Sequence, residues 1–109
     1  MAIEIRLEGL EHSEDLREHA LVLVQAHLGR YAADVSLIRI VFARRTGGTA
    51  PTEVRFEITA SGPRLRSTTV DHRGFSPFPA LTLAVARTAR VIRHELGRVR
   101  ARARLLPFQ

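Results

Sequence analysis

The sequence predicts an α+β fold of order β-α-β-β-β-α, a four-stranded sheet with two helices packed on one face. Three observations predict it. Two segments carry an apolar stripe at helical spacing, one near each end of the chain. Four other segments are short and alternating or β-branched, and three of them follow one another across Gly- and Pro-containing breaks. Each helix has only one apolar stripe, so both can lie on the same side of a sheet.

The first strand is IEIRLE at 3–8, with Ile3, Ile5 and Leu7 inward and Glu4, Arg6 and Glu8 outward. Gly9 then loosens the chain. Ser13 is suited to cap a helix over about 14–32, and Glu14 and Asp15 put negative charge in its first turn, where the helix dipole favours it. Leu16, Ala20, Leu23, Val24, His27 or Leu28, and Tyr31 form its apolar stripe.

The segment 36–45, SLIRIVFARR, is β-branched and apolar and predicts the second strand. A parallel pairing with the first strand follows from a right-handed crossover through the helix. RTGGTAP at 45–51 is a turn-rich break. TEVRFEITA at 52–60 alternates, with Val54, Phe56, Ile58 and Ala60 on one face. Phe42 and Phe56 thus read as core and not as platforms for stacked bases. RLRSTTV at 64–70 predicts a weaker fourth strand, with Leu65, Ser67 and Thr69 inward. HRGFSPFP at 72–79 reads as a loop, with Pro79 in the first turn of the last helix. Leu81, Val85, Thr88, Ile92, Leu96, Val99 and Ala103 fall in one stripe at about 100° per residue. Residues 1–105 are expected to form a single domain and 106–109 a short tail, since 109 residues suit one core.

Charge narrows the function. Net charge is +6, all seventeen basic residues are arginine, and none is lysine. Residues 1–34 hold three arginines against seven acids, whereas residues 35–109 hold fourteen against four. Such asymmetry points to an acidic partner, nucleic acid foremost. The segment 85–104, VARTARVIRHELGRVRARAR, has seven arginines and one acid. A solvated helix back usually mixes signs and gains from opposite pairs four residues apart. Here Arg87, Arg90, Arg93 and Arg98 have almost no local partner, and Arg100 continues the charge around the helix, with His94 beside it. The planar guanidinium fork suits bidentate phosphate contacts. Arg44, Arg45, Arg64 and Arg66 add basic positions at the strand ends. Structured RNA, recognised by shape and backbone, fits this pattern.

The chain lacks a secretory n-region and any run of ~20 apolar residues, so no membrane span and a cytoplasmic location are expected. The absence of cysteine excludes disulfides, thiolate zinc sites and a cysteine nucleophile. The five histidines have no metal-binding spacing, and no catalytic elbow or phosphate loop is present. No enzyme activity, catalytic residue, metal, cofactor or small-molecule substrate is expected.

The order of elements and several motifs resemble the ribosome hibernation-promoting factor family, also called ribosome-associated inhibitors or sigma-54 modulation proteins. The likeness runs over about residues 3–100. SEDLREHA resembles the family's opening of the first helix, and Arg30-Tyr31 its basic or polar residue followed by an aromatic. VRFEITASGPRLRSTT resembles its paired strands, and Leu81, Val85, Thr88 and Ile92 interleaved with Arg87 and Arg90 its last helix. The chain departs from the pattern in FPALT at 78–82, where Thr82 replaces an acid, in a longer preceding loop, and in a more acidic first helix. The resemblance implies a fold like a double-stranded-RNA-binding domain. It also implies a short-form factor seated in the tRNA and mRNA channel of the small ribosomal subunit, acting by occupancy. Implied RNA contacts are Arg87, Arg90, Arg93 and His94 on the last helix, with Arg17 and Arg30 on the first. A monomer is expected, without the dimerising domain of the long form. The alternatives left open are a general structured-RNA module unrelated to ribosomes, and a protein-interaction domain using Phe75 and Phe78.

Overall fold

The computed structural model describes residues 1–7, 13–45, 48–49 and 51–105. The elements are β1 (Ala2–Leu7), α1 (Ser13–Leu28), a 3₁₀ turn (Gly29–Tyr31), β2 (Leu37–Arg45), β3 (Glu53–Gly62), β4 (Leu65–Gly74) and α2 (Pro77–Leu105). They form one sheet of order β1-β2-β3-β4. β1 pairs parallel with β2, placing Ile3, Ile5 and Leu7 beside Ile38, Ile40 and Phe42. The other two pairings are antiparallel. This is the predicted α+β fold in the predicted order.

Alternation decides which face is covered. Ile38, Ile40 and Phe42 of β2 and Val54, Phe56, Ile58 and Ala60 of β3 are all buried on one side. They meet Leu16, Ala20, Leu23, Val24 and Leu28 of α1 and Leu81, Val85, Ile92 and Leu96 of α2 in one cluster. Phe42 and Phe56 are core residues, with ring centroids 5.1 Å apart and planes tilted by 54°. Thr88 is the buried polar side chain of α2, and its hydroxyl donates to the Ala84 carbonyl at 2.8 Å, so burial leaves no unpaired donor.

Several boundaries differ from expectation. α1 proper stops at Leu28, and the chain tightens into the 3₁₀ turn before β2. The side chain of Ser13, the expected cap, lies outside the described residues, as do Gly9, His12, most of the break at 46–50, and the tail 106–109. Residues 72–79 are not a loop. His72, Arg73 and Gly74 pair with Phe56, Arg55 and Val54, so β4 runs on until its partner β3 ends. α2 then begins at Pro77, because the first turn of a helix needs no backbone donor and accepts both Pro77 and Pro79.

The inward face of β4 is also corrected. Ala60 pairs with Thr68, yet Gly62 pairs with Leu65, so two residues of β4 oppose one of β3. This β-bulge shifts the alternation by one residue. Leu65 is inward as expected, but beyond the bulge the covered positions are Thr68 and Val70, while Ser67 and Thr69 are exposed. The apolar stripe of α2 is buried only through Leu96, since Val99 is 43% exposed and Ala103 is exposed. At about 1.5 Å per residue the 29-residue helix is about 43 Å long and outruns the sheet.

At Gly62 two backbone segments approach closely. A Cβ at this position would collide with the carbonyl of Asp34 and crowd the Cα of Val35. Ser36 donates to the Ser61 carbonyl at 2.8 Å beside it, which locks the two segments together. The obstacle is backbone and cannot swing aside. Gly62→Ala is therefore expected to destabilise the fold by about 1–3 kcal/mol, the usual range for overpacking, read as a lower midpoint in denaturant unfolding. Gly97→Ala, where a Cβ meets nothing within 4 Å, is expected to be neutral or stabilising in the same assay.

Candidate nucleic-acid interface

The two helices run side by side in the same direction. At one end His19 Nε2 and Thr82 Oγ1 are 3.2 Å apart, and the His19 and Phe78 rings are 5.4 Å apart. Further along, Ala26, His27, Arg30 and Tyr31 of the first helical segment face Ala86, Ala89, Arg90 and Arg93 of α2 across a groove of about 200 Å³. The alanines make the groove by leaving its floor low, and the arginines form its walls. Arg30 Cζ lies 6.0 Å from the Tyr31 ring centroid, at the outer limit of a cation–π contact. Arg90 and Arg93 are exposed and, among the described residues, make no side-chain hydrogen bond or ion pair.

The crest of α2 continues this surface. Arg90, Arg93, His94 and Arg98 surround Gly97 and Ala101, whose small size leaves the long side chains standing clear. Arg100 and Arg104 are exposed on the part of the helix beyond the core. The predicted residues Arg30, Arg90, Arg93, His94 and Arg98 thus line one continuous surface of groove and crest.

Others are placed elsewhere. Arg87 turns toward β4 and donates to the Asp71 carbonyl at 3.1 Å. Arg17 donates to the Ile5 carbonyl of the edge strand β1 at 3.2 Å and is half-buried there. Arg44 and Arg45 sit at the end of β2, level with the start of α2. Arg64 is at the opposite end of the sheet, 3.9 Å from Asp34. Arg66 lies against the far part of α2, in a cleft shared with Arg98 and Arg102. Arg102, His27 and Tyr31 were not among the expected contacts. The spacing of Ala26 and Arg30 along one helix face, and the alternating RVRARAR, were the signals for them.

The open face of the sheet is electrostatically different. Glu4 pairs with Arg6 at 3.4 Å and with Arg39 at 3.2 Å. Arg55 grips both carboxylate oxygens of Asp71 at 2.8 Å and reaches Glu57 at 3.3 Å. Arg73 is 3.8 Å from Glu53. These pairs, some along one strand and some between strands, engage Arg6, Arg39, Arg55 and Arg73, while on the helix side Arg90 and Arg93 are left without such partners among the described residues. Among the described residues no group of three or more His, Asp or Glu side chains could hold a metal ion, and no helix is long and apolar enough to cross a membrane.

No protein-family model and no curated protein matches the sequence. Solved structures do match in fold. A ribosomal subunit interface protein from Coxiella burnetii is 14% identical with a TM-score of 0.70, covering 86% of this chain and 96% of that one. The N-terminal domain of Thermus thermophilus protein Y is 22% identical with a TM-score of 0.66, covering 86% of this chain and 98% of that one. The chain shares the fold of these proteins.

The hydrogen bond from Arg55 holds the Asp71 carboxyl below the usual aspartate range, with Arg73 and Arg87 adding attraction and partial burial opposing. A depressed carboxylate contributes stability that is complete above the unfolded-state pKa and is lost as pH falls through the folded value. Asp71→Asn is expected to lower stability at neutral pH, with the gap to wild type closing in acid. Denaturant unfolding at both conditions checks this, and a gap independent of pH would contradict it.

Proposed function

We propose that this chain is a non-enzymatic, ribosome-associated translation inhibitor of the hibernation-factor family. In this reading it is cytoplasmic and binds as a monomer in the tRNA and mRNA channel of the small ribosomal subunit. The groove arginines Arg30, Arg90 and Arg93, with His94, Arg98 and Arg100 along the crest, hold ribosomal RNA phosphates. Inhibition follows from occupancy, since a protein filling the channel excludes tRNA and mRNA without chemistry of its own.

The observation that carries this reading is the partition of charge. On the open sheet face Arg6, Arg39, Arg55 and Arg73 pair with Glu4, Glu53, Glu57 and Asp71, whereas Arg90 and Arg93 stand without partners among the described residues. Unneutralised arginines on one side of a rigid domain form an electrostatic footprint for phosphate. The shared fold with a ribosomal subunit interface protein supports the ribosome as the source of that phosphate. A backbone-reading surface recognises RNA by shape, which suits a folded ribosomal channel better than a base sequence.

Arg17 and Arg87, tied to the Ile5 and Asp71 carbonyls, have a structural task in this reading. Arg44, Arg45 and Arg64 contribute at the rim. Arg90→Glu with Arg93→Glu is expected to flatten the salt dependence of small-subunit binding by about two units of log–log slope, since two phosphate contacts are removed. Arg17→Ala is expected to lower the unfolding midpoint while leaving that slope unchanged. Binding titrations across a salt series measure both, and an unchanged slope in the double variant would contradict the assigned surface.

A further inference from the structure

The flank of α2 that faces β4 carries a second basic cleft, separate from the α1–α2 groove. Its volume is about 290 Å³, and its cations are Arg66 from β4 and Arg98 and Arg102 from α2. Ser67 and Thr68 line it as well. In a regular strand three consecutive side chains alternate between faces and could not share one cleft. Here the β-bulge opposite Ser61 breaks the alternation, so Arg66, Ser67 and Thr68 all border the same space. The bulge thereby aims a cation and a hydroxyl at the far end of α2.

The cleft's own contacts leave it electropositive. Glu95 is its single acid and pairs with Arg98 at 3.4 Å, so Arg66 and Arg102 remain uncompensated. The Thr68 hydroxyl donates to the Arg66 carbonyl at 3.0 Å, which leaves the Ser67 hydroxyl as the free donor. Among the described residues Val99 is the one apolar side chain lining it, and the rest of the lining is charged or hydroxylic. Uncompensated guanidinium groups beside a free hydroxyl suit the charge of a phosphodiester backbone.

Arg98 borders both the crest and this cleft, while Arg66 and Arg102 lie on the flank of α2 away from the groove. Arg93 and Arg102 are nine residues apart, about 180° around a helix that is about 10–12 Å across with its side chains. The body of α2 stands between them. From Gly97 to Arg104 the helix is exposed on every side, with Arg98 and Arg102, and Arg100 and Arg104, as like-charged pairs four residues apart. Such pairs repel and destabilise a bare helix. Phosphate on both flanks relieves the repulsion on both rows.

We propose that α2 is a two-sided wedge. One RNA backbone lies in the α1–α2 groove, and a second, distinct RNA segment lies in the Arg66–Arg98–Arg102 cleft, so the helix spans two strands of a folded RNA. This rests on the RNA-binding reading above and adds to it a second grip.

The test compares Arg66→Glu with Arg102→Glu against Arg90→Glu with Arg93→Glu in the full chain, all four sites being exposed. Affinity for purified small subunits is measured across a salt series, and a photo-crosslinker is placed in turn at Ser67 and at Ala89. The cleft variant is expected to lose about tenfold or more in affinity and about two units of salt slope, as the groove variant does. The two crosslinkers are expected to mark different ribosomal RNA segments. If only the groove variant loses binding, or if both crosslinkers mark one segment, the wedge is overturned while RNA binding stands. A Ser67 crosslink to a ribosomal protein would equally overturn it, in favour of an acidic protein partner. If neither variant loses binding, the RNA-binding reading itself fails and the wedge with it.

Discussion

Burial of Leu81, Val85, Thr88, Ile92 and Leu96 against the sheet fixes α2 about its own axis. Each of these side chains is fully or almost fully withdrawn from water, so a rotation of the helix would expose several at about 1.5–3 kcal/mol for each large one. With the axis fixed, every arginine of the helix has an assigned direction. Arg90 and Arg93 border the groove beside α1, Arg87 turns to β4, His94 lies on the crest, and Arg98 stands between the crest and the β4 cleft. The basic surface is thus a consequence of the core: the apolar stripe determines where the cations go.

The sheet supplies the complementary half of the argument. Its open face also carries arginines, but Arg39, Arg55 and Arg73 each lie beside a carboxylate of the same or a neighbouring strand and pair with it. Individually such exposed pairs stabilise little. Their larger effect is to engage the cations of that side, so that the uncompensated arginines are those of α2. Small residues sharpen this surface. Ala26, Ala86 and Ala89 sink the floor of the groove, and Gly97 and Ala101 leave gaps on the crest between long arginines.

Much of the fold was legible because periodicity reports directly on burial. Strict alternation in β1 and β3 identified Ile3, Ile5, Val54, Phe56 and Ile58, and the stripe of α2 identified its core residues through Leu96. The inward face of β4 was not legible, since a single bulged residue reverses the alternation and no glycine or proline announces it between Leu65 and Val70. The end of β4 was obscured by Gly74, Pro77 and Pro79, which read as a loop. Pairing to β3 carries the strand through His72 to Gly74, and the prolines are tolerated in the first helical turn. For the site, charge in α2 was visible as composition, but the partners of Arg17 and Arg87 are backbone carbonyls distant in sequence. Only the folded chain separates arginines that hold the protein together from those left for a ligand.

The central claim is that the unneutralised helix side fits a particular folded RNA on the ribosome. Co-sedimentation of the purified protein with small ribosomal subunits, at near-physiological salt and with excess duplex RNA present, tests it most directly. The account requires stoichiometric pelleting that survives the competitor, because shape and not charge alone selects the site. Pelleting abolished by the duplex would reduce the protein to a general RNA binder, and no pelleting at all would contradict the account outright.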